Sequence, residues 1–187
     1  MINFPEKKYN IIYADPAWTY KVWSGKGKEK KSAENHYDCM DDDDIFNLPV
    51  ETIAEKDCVL FLWVTYPLLV QGLETINKWV FQSEDCSFSW IKKNKKADSL
   101  FWGLGHWTRA NNEICLLATK GKPKRVSKSV HQVVYEPLRE HSRKPDCVRE
   151  RIVELCGDLP RIELFAREEV SGWDCWGNEV NKGENNG

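Results

Sequence analysis

The sequence predicts a single α/β domain with a mostly parallel sheet covered by helices on both faces. Short apolar runs of strand length alternate with stretches whose apolar residues recur at helical spacing. The 187 residues, 41 % hydrophobic and 30 % charged, suit one domain with its own core. No repeat, long low-complexity tract or linker divides the chain, so one domain is expected over residues 1–180, followed by a polar tail over 181–187.

Each element has its own reason. Tyr9 to Ala14 (YNIIYA) is a short apolar strand. Asp41 to Asn47 opens with aspartates, which favour a helix N-terminus through its partial positive charge. Those carboxylates could also bind a metal, but acids in a first helical turn are the commoner case. Asp57 to Val64 (DCVLFLWV) reads as a buried strand. Pro67 to Val80 has apolar residues at helical spacing, Leu69, Leu73, Ile76 and Val80, and reads as a helix. Cys86 to Lys92, Glu113 to Thr119 and Val130 to Tyr135 read as strands, with Pro137 beyond the last. Pro145 to Cys156 reads as a helix that starts near a proline and stops at Gly157. Pro160 to Ala166 is a last strand, and Gly172 to Glu179 reads as a turn packing Trp173 and Trp176. A sheet of this kind binds ligands at the carboxyl ends of its strands. Asp15 follows the first strand and Arg167 the last.

Composition narrows the function. Met1 to Asn10 is polar, and the longest apolar run, Val59 to Val64, is too short to span a bilayer, so a cytoplasmic protein is expected. The seven cysteines show no C-x-x-C spacing, which suits small buried hydrophobes and no zinc site. The net charge of −2 argues weakly against a nucleic-acid partner. Its distribution argues for one: Lys21–Lys31, Lys92–Lys96 and Lys120–Lys128 are lysine-rich, and the last two hold no acid. They could equally be solvated loops. Nine tryptophans exceed what a core needs, and an excess suits stacking on bases.

The strongest chemical signal is YADPAW, Tyr13 to Trp18. It offers a carboxylate, a turn with an open carbonyl and a flat aromatic. An adenine amine needs such a set, because its lone pair is delocalised into the ring. Hydrogen bonds from its two N–H groups, to Asp15 and to the Pro16 carbonyl, would pull the nitrogen toward tetrahedral geometry. Trp18 would stack on the base. Catalysis would rest on positioning and preorganised dipoles. The alternative is an ordinary strand exit with Trp18 in the core. Gly103 and Gly105 lack the setting of a dinucleotide fingerprint, and the Trp-rich loop Phe101–Trp107 reads as substrate-facing.

YADPAW, HYDCM (His36 to Met40), FLWVT (Phe61 to Thr65), GHWTRANNEICLLATKGKP (Gly105 to Pro123), HSRKPD (His141 to Asp146), RIELFAR (Arg161 to Arg167) and GWDCWGNE (Gly172 to Glu179) occur in one order. On these stretches the chain resembles the MT-A70 family of adenine-N6 methyltransferases from about Tyr9 to Glu179. The resemblance implies a permuted Rossmann-like methyltransferase fold and S-adenosylmethionine as cofactor. It implies that Asp15, Pro16, Ala17 and Trp18 are the catalytic tetrapeptide. Tyr37, Trp107, Arg109, Glu113 and Lys144 would line the substrate side. Ser142, Lys144, Glu163, Phe165, Arg167, Asn178 and Glu179 would line the cofactor side, with Arg167, Asn178 and Glu179 on the ribose and adenine. Ser142 and Lys144 would lie in a closing loop. Arg143, Lys144 and Arg149 could contact phosphate or be solvated charges.

Two features depart from the family pattern. Ala17 replaces a proline, which frees φ at that position. Only fourteen residues precede Asp15, so the part of the cofactor pocket that larger members build there must be thinner or come from other loops. The compact chain resembles the small bacterial or phage branch, which implies DNA as substrate in the cytoplasm of a bacterial or phage-infected cell. RNA as substrate and a non-catalytic binding subunit are the alternatives, and monomer versus homodimer stays open.

Overall fold

The computed structural model describes residues 3–18, 40–105, 107–139, 143–178 and 180. They form a seven-stranded sheet in the order β5-β3-β4-β2-β1-β6-β7. The strands are β1 Tyr9–Ala14, β2 Ala54–Val64, β3 Gln82–Lys93, β4 Asn112–Lys120, β5 Val133–Pro137, β6 Arg161–Leu164 and β7 Asp174–Trp176. β1 pairs in parallel with β2 and β6, β6 with β7, and β3 with β5. β4 alone among them is antiparallel to its neighbours β2 and β3. The reversal places the start of β4 beside the carboxyl ends of the other strands.

Helices cover both faces, as expected. α1 (Asp42–Phe46) and α2 (Leu69–Lys78) pack on the face that presents Ile12, Leu60, Leu62 and Leu116. α3 (Cys147–Cys156) packs on the opposite face, with Ile11, Phe61, Trp63, Phe88 and Trp90. Asp42, Asp43 and Asp44 occupy the first turn of α1, where the helix dipole favours them. Gly157 ends α3 at φ 91, a conformation open to glycine.

Of the spaced apolar set in α2 and just after it, Leu69 and Ile76 pack on the core and Leu73 and Val80 do not. Leu73 is 38 % and Val80 61 % exposed, while Leu68, Gly72, Thr75, Ile76 and Trp79 are buried. Gly72 is the cause: a Cβ there would meet Val64 Cγ2 at 3.1 Å, so the helix lies close to the sheet along its small residues. Trp79 then reaches α1 and donates its indole N–H to the Ile45 carbonyl at 2.9 Å. β7 was read as a turn. Its three residues are too few to show a strand period.

Six tryptophans, Trp18, Trp63, Trp79, Trp90, Trp173 and Trp176, are buried, so most of the aromatic excess fills the two core layers. Trp102 and Trp107 are exposed. The six described cysteines are free thiols, and burial pushes Cys58 up to about 12 and Cys156 up to about 11, as small buried hydrophobes require. Among the described residues no helix is long and apolar enough to cross a membrane.

Candidate active site

Asp15 leaves β1 where Ala14 is flanked by Leu62 and Leu164, at the carboxyl edge of the parallel strands. Both of its carboxylate oxygens accept hydrogen bonds from the Lys144 ammonium, at 2.8 Å each. Lys144 also lies 3.2 Å from Glu113 Oε2, and Lys92 binds Glu113 through Oε1. The result is a chain of alternating charges, Asp15–Lys144–Glu113–Lys92, each side chain between 10 and 19 % exposed.

The fold explains the chain. β4 runs backward, so Glu113 near its start meets the ends of β1 and β3. Glu113 is in register with Trp90, and Lys92 lies two residues on along the same face of β3. Lys144 arrives from the segment before Pro145 and α3. Beneath the chain lies an aromatic floor. The Lys144 ammonium sits 5.5 Å over the Trp63 ring, and Trp63 donates its indole N–H to the Tyr13 hydroxyl at 2.7 Å. Trp90 meets Trp63 edge-on at 6.4 Å. Such a floor keeps water from one side, so charges above it interact more strongly than they would in bulk water.

Protonation follows from these neighbours. Burial alone would raise the Glu113 carboxyl, but Lys144 and Lys92 outweigh it and hold the group below the ordinary carboxylate range. Burial alone would lower the Lys144 ammonium, but Asp15 and Glu113 outweigh it and raise the group. Burial pushes the Tyr13 hydroxyl well above its ordinary value, so it stays neutral beneath Trp63.

The rest of the tetrapeptide is tightly folded. The Pro16 carbonyl accepts the Trp18 N–H at 2.9 Å, and the Ala17 carbonyl accepts the Met40 N–H at 3.2 Å. A carbonyl has two lone pairs, so Pro16 keeps one for a ligand. Trp18 corrects the expectation of a stacking platform. It is 7 % exposed, belongs to the core layer under α1 and α2, and donates its indole N–H to the Trp63 carbonyl at 3.2 Å. Its bulk fixes the turn that carries Asp15.

The expected cofactor residues separate into two groups. Glu163 is committed within the protein. Its two oxygens accept from Arg149 Nε at 2.7 Å and Nη2 at 3.0 Å, and the residue is 7 % exposed. Burial pushes the Glu163 carboxyl up more than Arg149 draws it down, while Glu163 in turn raises the Arg149 guanidinium against its own burial. The pair forms a fork in which Arg149 engages both carboxylate oxygens of Glu163. Phe165, Arg167 and Asn178 cluster at the ends of β6 and β7. Phe165 adopts φ 62, a left-handed backbone that costs a non-glycine residue about 1–3 kcal/mol and gathers at functional sites. Its ring stands edge-on to Trp176 at 5.7 Å. Ala166 donates its N–H to the Trp176 carbonyl at 3.0 Å, and a Cβ on Gly177 would lie 2.3 Å from the Ala166 carbonyl. The two strand ends therefore press together, with Arg167 partly buried just after one and Asn178 exposed just after the other. A half-buried ring, a guanidinium and an amide suit a nucleoside with hydroxyls and a carboxylate. An open groove of about 870 Å³ runs along β7 from Trp176 and Gly177 to Lys7 and Asn3, and Asp15, Phe165, Arg167 and Asn178 do not line it. Ser142, Glu179 and Tyr37 lie outside the described residues.

On the substrate side, Trp107 and Arg109 belong to the exposed loop between β3 and β4, with the Arg109 guanidinium 5.1 Å over the Trp102 ring. The basic segments do not share one location. Lys92 and Lys93 are ion-paired at the site edge. Lys120–Lys128 lies at the opposite edge, where Lys120 pairs with Cys58 near the start of β2 and Val126 binds the end of α3. That segment is remote from Asp15. Lys21–Lys31 lies outside the described residues.

Trp63 and Tyr13 had not been singled out as site residues, and Lys92 had been placed in a basic loop. The strand alternation of Cys86 to Lys92 was the available signal for Lys92. The position of Trp63 beneath Lys144 had none, because the partner lies 81 residues away by number (144 minus 63).

A carboxylate at the end of β1, a buried charge chain and a nucleoside-compatible corner at β6–β7 define an α/β methyltransferase domain. The chain matches the MT-A70 family model over residues 9–179 and belongs to that family. Membership implies use of S-adenosylmethionine. The chain is 32 % identical to the type II methyltransferase M.MunI from Mycoplasma sp, over 95 % of its own length and 80 % of that protein. It is 30 % identical to the N(6)-adenosine-methyltransferase catalytic subunit METTL3 of Homo sapiens, over 92 % of its own length but 28 % of that protein. The Arabidopsis thaliana N(6)-adenosine-methyltransferase MT-A70-like is 29 % identical, with 24 % of its length covered.

Proposed function

We propose that this chain transfers a methyl group from S-adenosylmethionine to the N6 amine of adenine in DNA. The observation that carries the reading is the pairing of Asp15 with Lys144 at the end of β1. Asp15 lies one-fifth exposed at the ligand-binding edge and is held by a cation that has a second anchor in Glu113. An incoming adenine amine donates to Asp15 and takes over one of the two contacts to Lys144. Lys144 keeps Glu113, which Lys92 holds ionised. The free lone pair on the Pro16 carbonyl accepts the second N–H. The nitrogen lone pair then points away from both acceptors.

Phe165, Arg167 and Asn178 would hold the cofactor, whose sulfonium supplies an electrophilic methyl group. The amine becomes acidic on alkylation, so Asp15 needs to orient the group and pass its proton to water without being a strong base. Positioning and preorganised charge carry most of the rate. Trp107 and Arg109 contact the nucleic acid beside the target.

The DNA reading follows the type II methyltransferase, most of whose length the chain spans. RNA is the second reading, favoured by the similarity to N(6)-adenosine-methyltransferases. Transfer of tritiated methyl to DNA and RNA strands of one sequence tests both. Incorporation into DNA that disappears when adenine is replaced supports the proposal. Faster transfer to RNA overturns its DNA part, and no transfer to either overturns it whole.

A further inference from the structure

The loop between β3 and β4 exposes three large apolar side chains: Trp102 at 71 %, Leu104 at 85 % and Trp107 at 94 %. Such a cluster on a soluble surface marks a contact site. Its root is pinned. Phe101 donates its N–H to the Lys92 carbonyl at 2.8 Å, Lys92 donates to the Asn111 carbonyl at 2.8 Å, and Asn94 donates to the Ser99 carbonyl at 2.9 Å. The tip is thin. A Cβ at Gly103 would lie 1.8 Å from the Ala110 carbonyl oxygen, and one at Gly105 would lie 2.0 Å from the Thr108 carbonyl oxygen. The glycines thus let two backbone arms touch, with Leu104 on one arm between the two contacts, in the narrow outer part of the finger.

The finger has a chemical character. Residues 92–111 carry Lys92, Lys93, Lys95, Lys96 and Arg109 against the single acid Asp98, a surplus of four positive charges. Asp98 is itself ion-paired with Lys93. Its root residue Lys92 is the last member of the charge chain that ends on Asp15. A basic finger with an apolar tip, anchored to the catalytic network, is complementary to a polyanion with a stacked apolar interior.

We propose that this finger is a wedge that opens a nucleic-acid duplex beside the target adenine. Leu104 enters the base stack, Trp107 stacks on the base left behind, and Lys95, Lys96 and Arg109 hold the flanking phosphates. The adenine so released reaches Asp15. The inference rests on the methyltransferase reading above and deepens it. An amine in a base pair has one of its two N–H groups engaged and its nitrogen held in the stacked plane, so it cannot donate to both Asp15 and the Pro16 carbonyl until the pair opens. Apolar wedges and aromatic platforms offset the unstacking of a duplex.

The test compares Leu104→Ala and Leu104→Met with the unaltered protein in single-turnover methylation of one sequence. The substrates are a single strand, a matched duplex, and a duplex with the target adenine mispaired. For Leu104→Ala we expect the matched-duplex rate to fall tenfold or more, and the single-strand and mispaired rates to fall less than threefold. Leu104→Met should stay within threefold on all substrates. The single-strand rate also reports that the variant is folded. Equal losses on every substrate overturn the wedge in favour of a general binding surface. No loss on any substrate overturns it too, and a change of mass in light scattering would then assign the tip to a second copy of the chain. An unaltered protein that methylates only single strands also overturns the wedge. One that methylates no substrate overturns the methyltransferase reading itself.

Discussion

A buried carboxylate, Glu163, and a partly exposed one, Asp15, lie at the same sheet edge and are paired in different ways. Glu163 is gripped by the Arg149 fork through two near-parallel bonds at 2.7 and 3.0 Å. Asp15 is gripped by Lys144, a point charge with three donors that also lies within ion-pair distance of Glu113. A planar fork on one carboxylate is hard to displace and holds structure in place. An ammonium shared by two carboxylates can give up a contact to one and keep the other. The protonation directions agree. One arginine does not fully cover the burial of Glu163, whereas two lysines more than cover that of Glu113. The arginine pair is therefore framework, and the lysine chain is the part able to exchange a partner for substrate.

The sharpest way to separate the two is through turnover. Asp15→Asn keeps the size of the side chain but loses its charge. Methyl transfer is expected to fall at least about a thousandfold, or roughly 4 kcal/mol at 1.36 kcal/mol per decade, with cofactor affinity changed only a fewfold. Arg149→Met should do the reverse. Leaving Glu163 buried and unpaired costs about 3–5 kcal/mol of stability in denaturant unfolding, while the folded fraction keeps near-normal turnover. If the variant stayed stable but inactive, Glu163 would belong to the site.

Lys144→Arg converts the mobile pairing into the fixed kind. Turnover should fall roughly a hundredfold, about 2.7 kcal/mol, with little loss of melting temperature. An active Lys144→Arg would show that release of Asp15 is not needed.

The smallest effect is in pH dependence. The Glu113 carboxyl lies below its ordinary 4.5, so its ionised form stabilises the fold above pH 4.5, and that contribution fades as pH falls through the folded value. The Glu163 carboxyl lies above 4.5 and protonates first in the folded chain, so acidification adds stability there. Denaturant titrations of Glu113→Gln and Glu163→Gln beside the unaltered chain, from about pH 7 to about pH 3, should show opposite trends. On acidification the unaltered chain should lose stability relative to Glu113→Gln and gain stability relative to Glu163→Gln. Parallel trends would mean that the two carboxylates are not differently covered.

The sequence carried the fold to the extent that elements were periodic. β1 ends at Ala14 as read, α3 stops at Gly157, and helices lie on both faces. The reversal of β4 was not legible, because an apolar strand buried on both faces looks the same in either direction. Counting large apolar residues in α2 finds Leu69 and Ile76 but not Gly72 and Thr75, which are also buried, with Gly72 setting the close approach to Val64. For the site, local pattern found Asp15, and the resemblance added Lys144 and Glu113. The assembly of these with Lys92 over Trp63 depends on contacts between distant segments that no spacing encodes. Trp18 was misread because an aromatic beside a catalytic carboxylate looks the same in a core as on a surface.

The most direct probe asks whether Asp15 senses the group it is said to hold. Affinity would be measured for oligonucleotides that carry adenine, or purine lacking the exocyclic amine, at the target position, with the unaltered chain and with Asp15→Ala. A hydrogen bond to a charged group is worth about 1.5–3 kcal/mol, so the unaltered chain should prefer adenine roughly ten- to a hundredfold, and Asp15→Ala should show no preference. A preference for adenine that survives in Asp15→Ala would contradict the account.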